Sequence, residues 1–251
     1  MKRMILGVSM VAALLLMASS AMAQGLSLRW QSCIGDGGVS NRTSACTSNL
    51  GNAGIAVGTF QVGADVIGAT GIEALVDVIT TDPATLPAWW TMPTTGFPGF
   101  PGCRSGAITA NGTISTAAVN CFDWASGAAA GGLAAFKTNQ PIGANTARIL
   151  VGLAVPAASA ATIPANTKMF AFNLVISNTK TTGTGSCAGC TTAACLVFQN
   201  LKIAIGTSNA APISTGNTAG SNFATWQGTA ASCAAVPTRN STWSGVKSLY
   251  R

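Results

Sequence analysis

The chain has 251 residues, of which 13 are Lys or Arg and 6 are Asp or Glu, so 8% carry charge where an ordinary soluble domain has roughly a quarter. Hydrophobic residues reach 48%, which excludes a charge-rich disordered segment and a coiled coil. There is no His and a single Tyr, which excludes Ser-His-Asp and Cys-His catalysis, His-ligated metals and imidazole acid-base chemistry.

Residues 1–23 read as a signal peptide. Lys2 and Arg3 form a basic start, Ile5 to Met17 an apolar stretch, and Ala21-Met22-Ala23 the small-residue cleavage pattern before Gln24. The stretch is short for a membrane anchor, which is the other reading. The residue immediately after the cleavage point is Gln24 and not Cys, which argues against a lipoprotein. Later apolar runs such as Ile149 to Val155 are short and end at Pro156, so no membrane span is expected after cleavage. The expected location is secreted, extracellular or on the cell surface, with the periplasm also open. Without residues 1–23 the charge is 11 basic against 6 acidic. Arg239, Lys247 and Arg251 lie near the C-terminus, which leaves the body almost neutral. No basic stripe with interleaved aromatics occurs, so no nucleic-acid partner is expected.

Period-two alternation in β-branched segments predicts strands over Leu26 to Trp30, Val57 to Val62 and Ile72 to Thr80. Asp36, among Gly35, Gly37 and Gly38, suits a turn better than a calcium loop, which wants several acidic ligands. The segment Asp82 to Pro101 contains five prolines with Trp89, Trp90, Phe97 and Phe100. Its aromatics offer a platform for a sugar ring or a protein partner; the alternative is that Trp89 and Trp90 fold back to seal one end of the domain. A strand is expected over Ala107 to Ser115, with Asn111-Gly112 as a two-residue hairpin turn. Asn120 to Phe136 is the best internal helix candidate, but Gly127, Gly131 and Gly132 limit it to a short turn. More hydrophobic strands follow at Thr146 to Val155, Lys168 to Ser177 and Cys195 to Ile205. In the second of these, Phe170, Phe172, Leu174 and Ile176 share one face and Met169, Ala171, Asn173 and Val175 the other.

Ala234 to Ser241 reads as a linker to a separate tail. If Thr242 caps a short helix, Trp243, Val246 and Tyr250 fall on one face with Leu249 beside them, while Lys247 and Arg251 turn to solvent. Ten residues make no stable isolated helix, so this tail must dock, on its own domain or on a partner. Ser244-Gly245-Val246-Lys247 matches S-x-x-K, but neither the S-D-N nor the K-T-G companion of that nucleophile is present.

All eight cysteines (Cys33, Cys46, Cys103, Cys121, Cys187, Cys190, Cys195, Cys233) follow residue 24, and an even count in an exported chain favours disulfides. Sequence proximity suggests Cys33 with Cys46 and Cys103 with Cys121. The last four are open in order, Cys190 with Cys195 and Cys187 with Cys233 being the first choice. Cys187-Ala-Gly-Cys190, with Cys195 and Cys233, also allows a zinc site or a redox pair; irregular spacing and the lack of a βαβ setting disfavour both. No metal and no cofactor is expected. Carboxylate chemistry rests on Asp36, Asp65, Glu73, Asp77, Asp82 and Asp123. Glu73 and Asp77 share one strand face, where solvation is the plainer reading and a hydrolase pair the sharper one. Asn41, Asn111 and Asn240 satisfy the N-x-S/T pattern and suggest surface turns.

Trp30-x-x-Cys33, Leu86-Pro-Ala-Trp-Trp90, Cys187-Ala-Gly-Cys190 with Cys195-Leu-Val-Phe198, Thr225-Trp-Gln-Gly228 and Lys247-Ser-Leu-Tyr-Arg251 together resemble a group of exported bacterial β-rich proteins of uncharacterised activity. The resemblance implies an exported β-rich surface protein and assigns no catalytic or binding residue.

The resulting expectation is an all-β chain: an antiparallel β-sandwich over 24–233, of jelly-roll or immunoglobulin/cohesin-like type, stapled by disulfides, with a short C-terminal helix in 234–251. The expected role is a non-enzymatic structural or assembly protein of the cell surface or medium, with self-association or a surface-protein partner. A carbohydrate- or protein-binding module using Trp89 to Phe100 is the alternative, and a carboxylate hydrolase the third.

Overall fold

The computed structural model describes residues 25–82, 84–93, 102–114, 121–139, 143–206, 212–213, 221–228 and 233. The signal segment, Phe97, Phe100, Trp243, Val246, Leu249 and Tyr250 lie outside the described residues, as does the expected C-terminal helix.

Among the described residues thirteen strands follow one another: β1 (Gly25–Trp30), β2 (Asn41–Arg42), β3 (Asn52–Gln61), β4 (Val66–Thr80), β5 (Ile108–Asn111), β6 (Phe122–Asp123), β7 (Ala130–Thr138), β8 (Thr146–Ala154), β9 (Ala161–Ile163), β10 (Met169–Ser177), β11 (Ala194–Ile205), β12 (Pro212–Ile213) and β13 (Phe223–Trp226). The smaller sheet runs β1-β3-β10-β5, with β6 also on β10. The larger runs β2-β13-β11-β4-β8-β7, with β12 on β11 and β9 on β4. Pairing is antiparallel except for β6 with β10 and β2 with β13. The two sheets do not close into a barrel, and the expected sandwich is the fold found.

Alternation explains the layers. On β4, Ile72, Ala74, Val76 and Val78 enter the core between the sheets, where they meet Ile149 and Val151 of β8 and Leu196, Phe198 and Leu201 of β11. From the smaller sheet come Leu28, Phe60, Phe172, Leu174 and Ile176. Phe172 and Phe198 bridge the layers edge to face, with centroids 5.1 Å apart.

Four local expectations are corrected. A register shift between Phe170 and Phe172 on β10 breaks the simple alternation. Phe172, Leu174 and Ile176 keep the core face, but Phe170 joins Val57, Cys33 and Cys121 in a separate cluster, and Met169 and Ala171 pack into the main core. Asn111-Gly112 is not a hairpin turn: β5 pairs with β10, and the Asn111 side chain accepts from the Thr113 N–H at 3.2 Å. The helix candidate is instead β6, a turn and β7. There the chain needs small residues, because a Cβ on Gly132 would stand 2.7 Å from the Ala110 carbonyl oxygen of β5, at the edge where the two sheets meet.

The fourth concerns the cysteines. All eight form disulfides, but none of the suggested pairs is present: Cys33 bonds Cys121, Cys46 bonds Cys190, Cys103 bonds Cys187 and Cys195 bonds Cys233. Sequence separations of 88, 144, 84 and 38 replace the short loops expected. In the chain-entropy picture each such closure taken alone is worth about 4–5 kcal/mol. Non-reducing peptide mapping should recover these four pairs, and Cys46→Ala with Cys190→Ala should lower the unfolding free energy in urea by about 2–5 kcal/mol.

Candidate functional site

The aromatic segment forms a buried knot at one end of the sandwich. Pro87 ends an extended approach, and Ala88–Trp90 make one 3-10 turn that places Trp89 and Trp90 inside, each fully buried. Trp89 stacks on Trp226 of β13 at 5.1 Å, Trp90 meets both rings edge-on, and Trp30 of β1 lies 6.0 Å from Trp226. Trp30 Nε1 donates to the Thr225 carbonyl, Trp226 Nε1 to the Cys190 carbonyl and Trp89 Nε1 to Thr181 Oγ1. Gly189 is required beside this turn: its φ is +105°, and a Cβ there would stand 2.3 Å from Pro87.

Arg104 completes the knot. It is 1% exposed, with its guanidinium carbon 3.7 Å from the centroid of the Trp89 ring. It donates to the carbonyls of Trp89 at 2.9 Å and Thr179 at 2.8 Å, and to that of Ser177. Desolvation lowers its pKa to about 10, so the group stays charged at neutral pH. Cys103–Cys187 and Cys46–Cys190 flank the cluster. The platform expectation is therefore corrected for Trp89 and Trp90: enclosed by other tryptophans and a guanidinium, they present no face to a ligand and seal the end of the sandwich.

The Cys187-Ala-Gly-Cys190 segment is neither a redox pair nor part of a four-thiolate site, because its two sulfurs bond different, distant partners. Cys33, Asp36 and Cys121 bring three potential ligand atoms together, but both sulfurs are joined in one disulfide. That leaves one carboxylate, 3.6 Å from Lys168 Nζ, which is too few donors for a metal.

The other four aspartates are similarly engaged. Asp65 accepts from the Ala165 N–H at 2.7 Å, Asp82 from the Ala84 N–H at 2.9 Å, and Asp123 from the Ala125 and Gly127 N–H groups. Asp77 was expected to be solvated, yet it is 1% exposed. It receives Arg148 Nε at 2.7 Å and Nη2 at 2.8 Å in a bidentate pair between β4 and β8. Burial holds its carboxyl above the ordinary range, while hydrogen bonds from Arg148 and Gln199 pull the other way. Glu73, four residues earlier on the same strand face, is roughly 13 Å away along the strand, beyond the spacing of about 5–9.5 Å that paired glycosidase carboxylates need. Glu73 lies opposite Lys202 of β11, in an open groove of about 630 Å³ floored by Gly131, Gly152, Ala154 and Ala204.

Sequence reasoning missed Arg104 and Arg148. The signal for each was a lone cation in an apolar or small-residue segment, Cys103-Arg104-Ser105 and Ala147-Arg148-Ile149, where burial demands a partner. Comparison with family models finds no match, and comparison with curated proteins and with solved structures finds none either.

Arg104→Met should cost about 2–4 kcal/mol, since it leaves the buried Trp89 carbonyl and the part-buried Ser177 and Thr179 carbonyls without their donor; urea denaturation followed by tryptophan fluorescence reads it. For Asp77 the folded chain holds the proton more readily than the unfolded one. Its proton-linked contribution is complete below the ordinary value of 3.8 and is lost as pH rises through the raised folded value. The stability difference between the natural chain and Asp77→Asn should therefore shift against the natural chain from about pH 4 upward; a shift in its favour would contradict the assigned direction.

Proposed function

We propose that this chain is an exported, non-enzymatic structural protein that assembles with copies of itself. The observation carrying the first half is that its reactive groups are spent on holding the fold. The eight thiols are in disulfides, four of the six carboxylates accept from Arg or backbone N–H groups, and a fifth, Asp36, is ion-paired with Lys168. A disulfide set of this kind requires an oxidising compartment, which supports export and the reading of residues 1–23 as a signal peptide.

Self-association is supported by where apolar groups reach the surface. Leu50 is 83% exposed and Ile67 is 73% exposed. They lie at opposite ends of the sandwich: Leu50 beside the C-terminal end of β10, Ile67 at the start of β4 with Ile205 close by. Leu50 sits on a pinned turn. Its N–H donates to Ser48 Oγ, its carbonyl accepts from Asn178 Nδ2, and Asn49 Oδ1 accepts from the Thr181 and Thr182 N–H groups. A rigidly held leucine among uncharged Thr, Ser and Gly residues loses little entropy on contact. Apolar groups at two different ends favour a head-to-tail interface, which propagates rather than closes.

Size-exclusion chromatography with light scattering, and negative-stain imaging, should show species larger than one chain for the purified protein after signal removal. Leu50→Asp should return it to a monomer with its thermal midpoint unchanged. A monomer at every concentration would remove the assembly reading.

A further inference from the structure

The disulfides run against chain order. Joining each cysteine to the next from the N-terminus would make Cys33–Cys46, Cys103–Cys121, Cys187–Cys190 and Cys195–Cys233. Only the last of these is present; Cys33–Cys121, Cys46–Cys190 and Cys103–Cys187 each pass over at least one intervening cysteine. Those three native bridges span 88, 144 and 84 residues. Cys33–Cys46 and Cys103–Cys121 close loops of only about 13 and 18 residues, and because closure falls as the −3/2 power of loop length, an unfolded chain favours these local partners by about 10- to 40-fold.

The sheets offer the early cysteines no protection. β3 is flanked by β1 and β10, and β4 by β8 and β11, so neither sheet is complete until β10 and β11, which end at Ser177 and Ile205, are available. Cys33, Cys46, Cys103 and Cys121 all precede those strands in a chain that leaves the cytosol N-terminus first. In the finished fold the position is reversed. Cys33, Cys121, Cys187, Cys190, Cys195 and Cys233 are buried, so every native bridge has at least one end withdrawn from an attacking thiolate. The native set is therefore the end point of exchange, while bridges in the unfolded chain stay open to it.

We propose that this chain is a client of a thiol–disulfide isomerase, a partner with an accessible low-pKa thiolate that reshuffles bridges after an oxidant has made them. The inference rests on the exported reading, because an oxidising compartment is what fixes the local pairs first. From the four local pairs, four exchanges reach the native set. The isomerase thiolate attacks Cys33 of Cys33–Cys46, forming a mixed disulfide and freeing the Cys46 thiolate. Cys46 attacks Cys190 of Cys187–Cys190 and frees Cys187. Cys187 attacks Cys103 of Cys103–Cys121 and frees Cys121. Cys121 then attacks Cys33 in the mixed disulfide and expels the isomerase thiolate. Each exchange breaks one S–S bond and forms one, so no oxidant or reductant is consumed, and Cys195–Cys233 never opens.

Oxidation in two stages tests it. The purified chain is reduced, unfolded in urea and oxidised with diamide, its bridges are mapped by non-reducing peptide mass spectrometry, and it is then moved to native buffer with glutathione, with or without protein disulfide isomerase. At the first stage Cys33–Cys46 and Cys103–Cys121 should exceed the native bridges of the same cysteines by about tenfold or more. At the second the isomerase should speed the appearance of the four native bridges at least about tenfold over glutathione alone. A native set already dominant after diamide, or a rate that the isomerase leaves unchanged, would overturn the proposal. In cells, a bacterial host that keeps its disulfide-forming oxidase but lacks its isomerase should yield at least about fivefold less natively bridged chain than the complete host; equal yields would also overturn it. Eight free thiols on a chain that keeps residues 1–23 in both hosts would instead remove the export reading, and the refolding rate, which needs no export, would then decide.

Discussion

Arg104 places a guanidinium against the Trp89 ring and ties three carbonyls from two separate segments of chain, Trp89 on one side and Ser177 and Thr179 on the other. With no carboxylate among those partners, the charge is held by backbone dipoles and a ring face. Such a site works only if every donor finds its acceptor in a fixed place. Two disulfides provide that fixity: Cys103, next to Arg104, is bonded to Cys187, and Cys190, three residues on, is bonded to Cys46. The Trp226 indole donates to the Cys190 carbonyl, so β13 and the tryptophan stack are positioned by the same short segment. The end of the sandwich where β4, β10 and β11 meet their loops is one connected unit, and Trp89 and Trp90 are its filling.

This unit explains why sequence proximity failed for the cysteines. Pairing neighbours along the chain assumes that loops are closed locally. In an antiparallel sandwich, segments far apart in sequence are close in space, because strands are interleaved: β10 pairs with β3 and β5, and β11 with β4 and β13. Bonds such as Cys46–Cys190 therefore join loops at one end of the layers, and they remove far more chain freedom than a short loop closure would. The even count announced disulfides, but the partners depended on a topology that period-two alternation does not encode.

The same distinction governs the rest of what the residues disclosed. Strands β4, β8, β10 and β11 were readable because β-branched and aromatic residues alternate over eight or more positions, and an all-β sandwich followed from their number and from the absence of alternating helices. Strand β7 was not, because Ala130, Gly131, Gly132, Ala134 and Ala135 carry no β-propensity. They are small because β5 and β8 press close. Asn111-Gly112 carried a turn signal that the structure answers differently, the Asn111 side chain facing Asn173 at 3.3 Å as well as the next residues of its own loop. For the aromatic segment, proline content marked a loop correctly, but burial of Trp89 and Trp90 came from partners on β1 and β13, more than fifty residues away in each direction.

Asp77 is the sharpest instance of a residue whose meaning lies outside its own segment. In the run Leu75-Val76-Asp77-Val78-Ile79, alternation puts Val76 and Val78 in the core and leaves Leu75, Asp77 and Ile79 on the outward side, which a two-layer sandwich assigns to water. A solvated carboxylate would need no partner, and the flanking Leu75 and Ile79 would be ordinary surface residues. The bidentate Arg148 contact and near-complete burial say otherwise. A buried ion pair costs desolvation that its own attraction hardly repays, so it adds little to stability. What it can add is register: Asp77 stands opposite Arg148 in the β4–β8 ladder, and a slip of one residue would leave two charges unpaired in an enclosed layer. The ion pair therefore fixes the alignment of β4 and β8, and it does so only because both of its charges are buried.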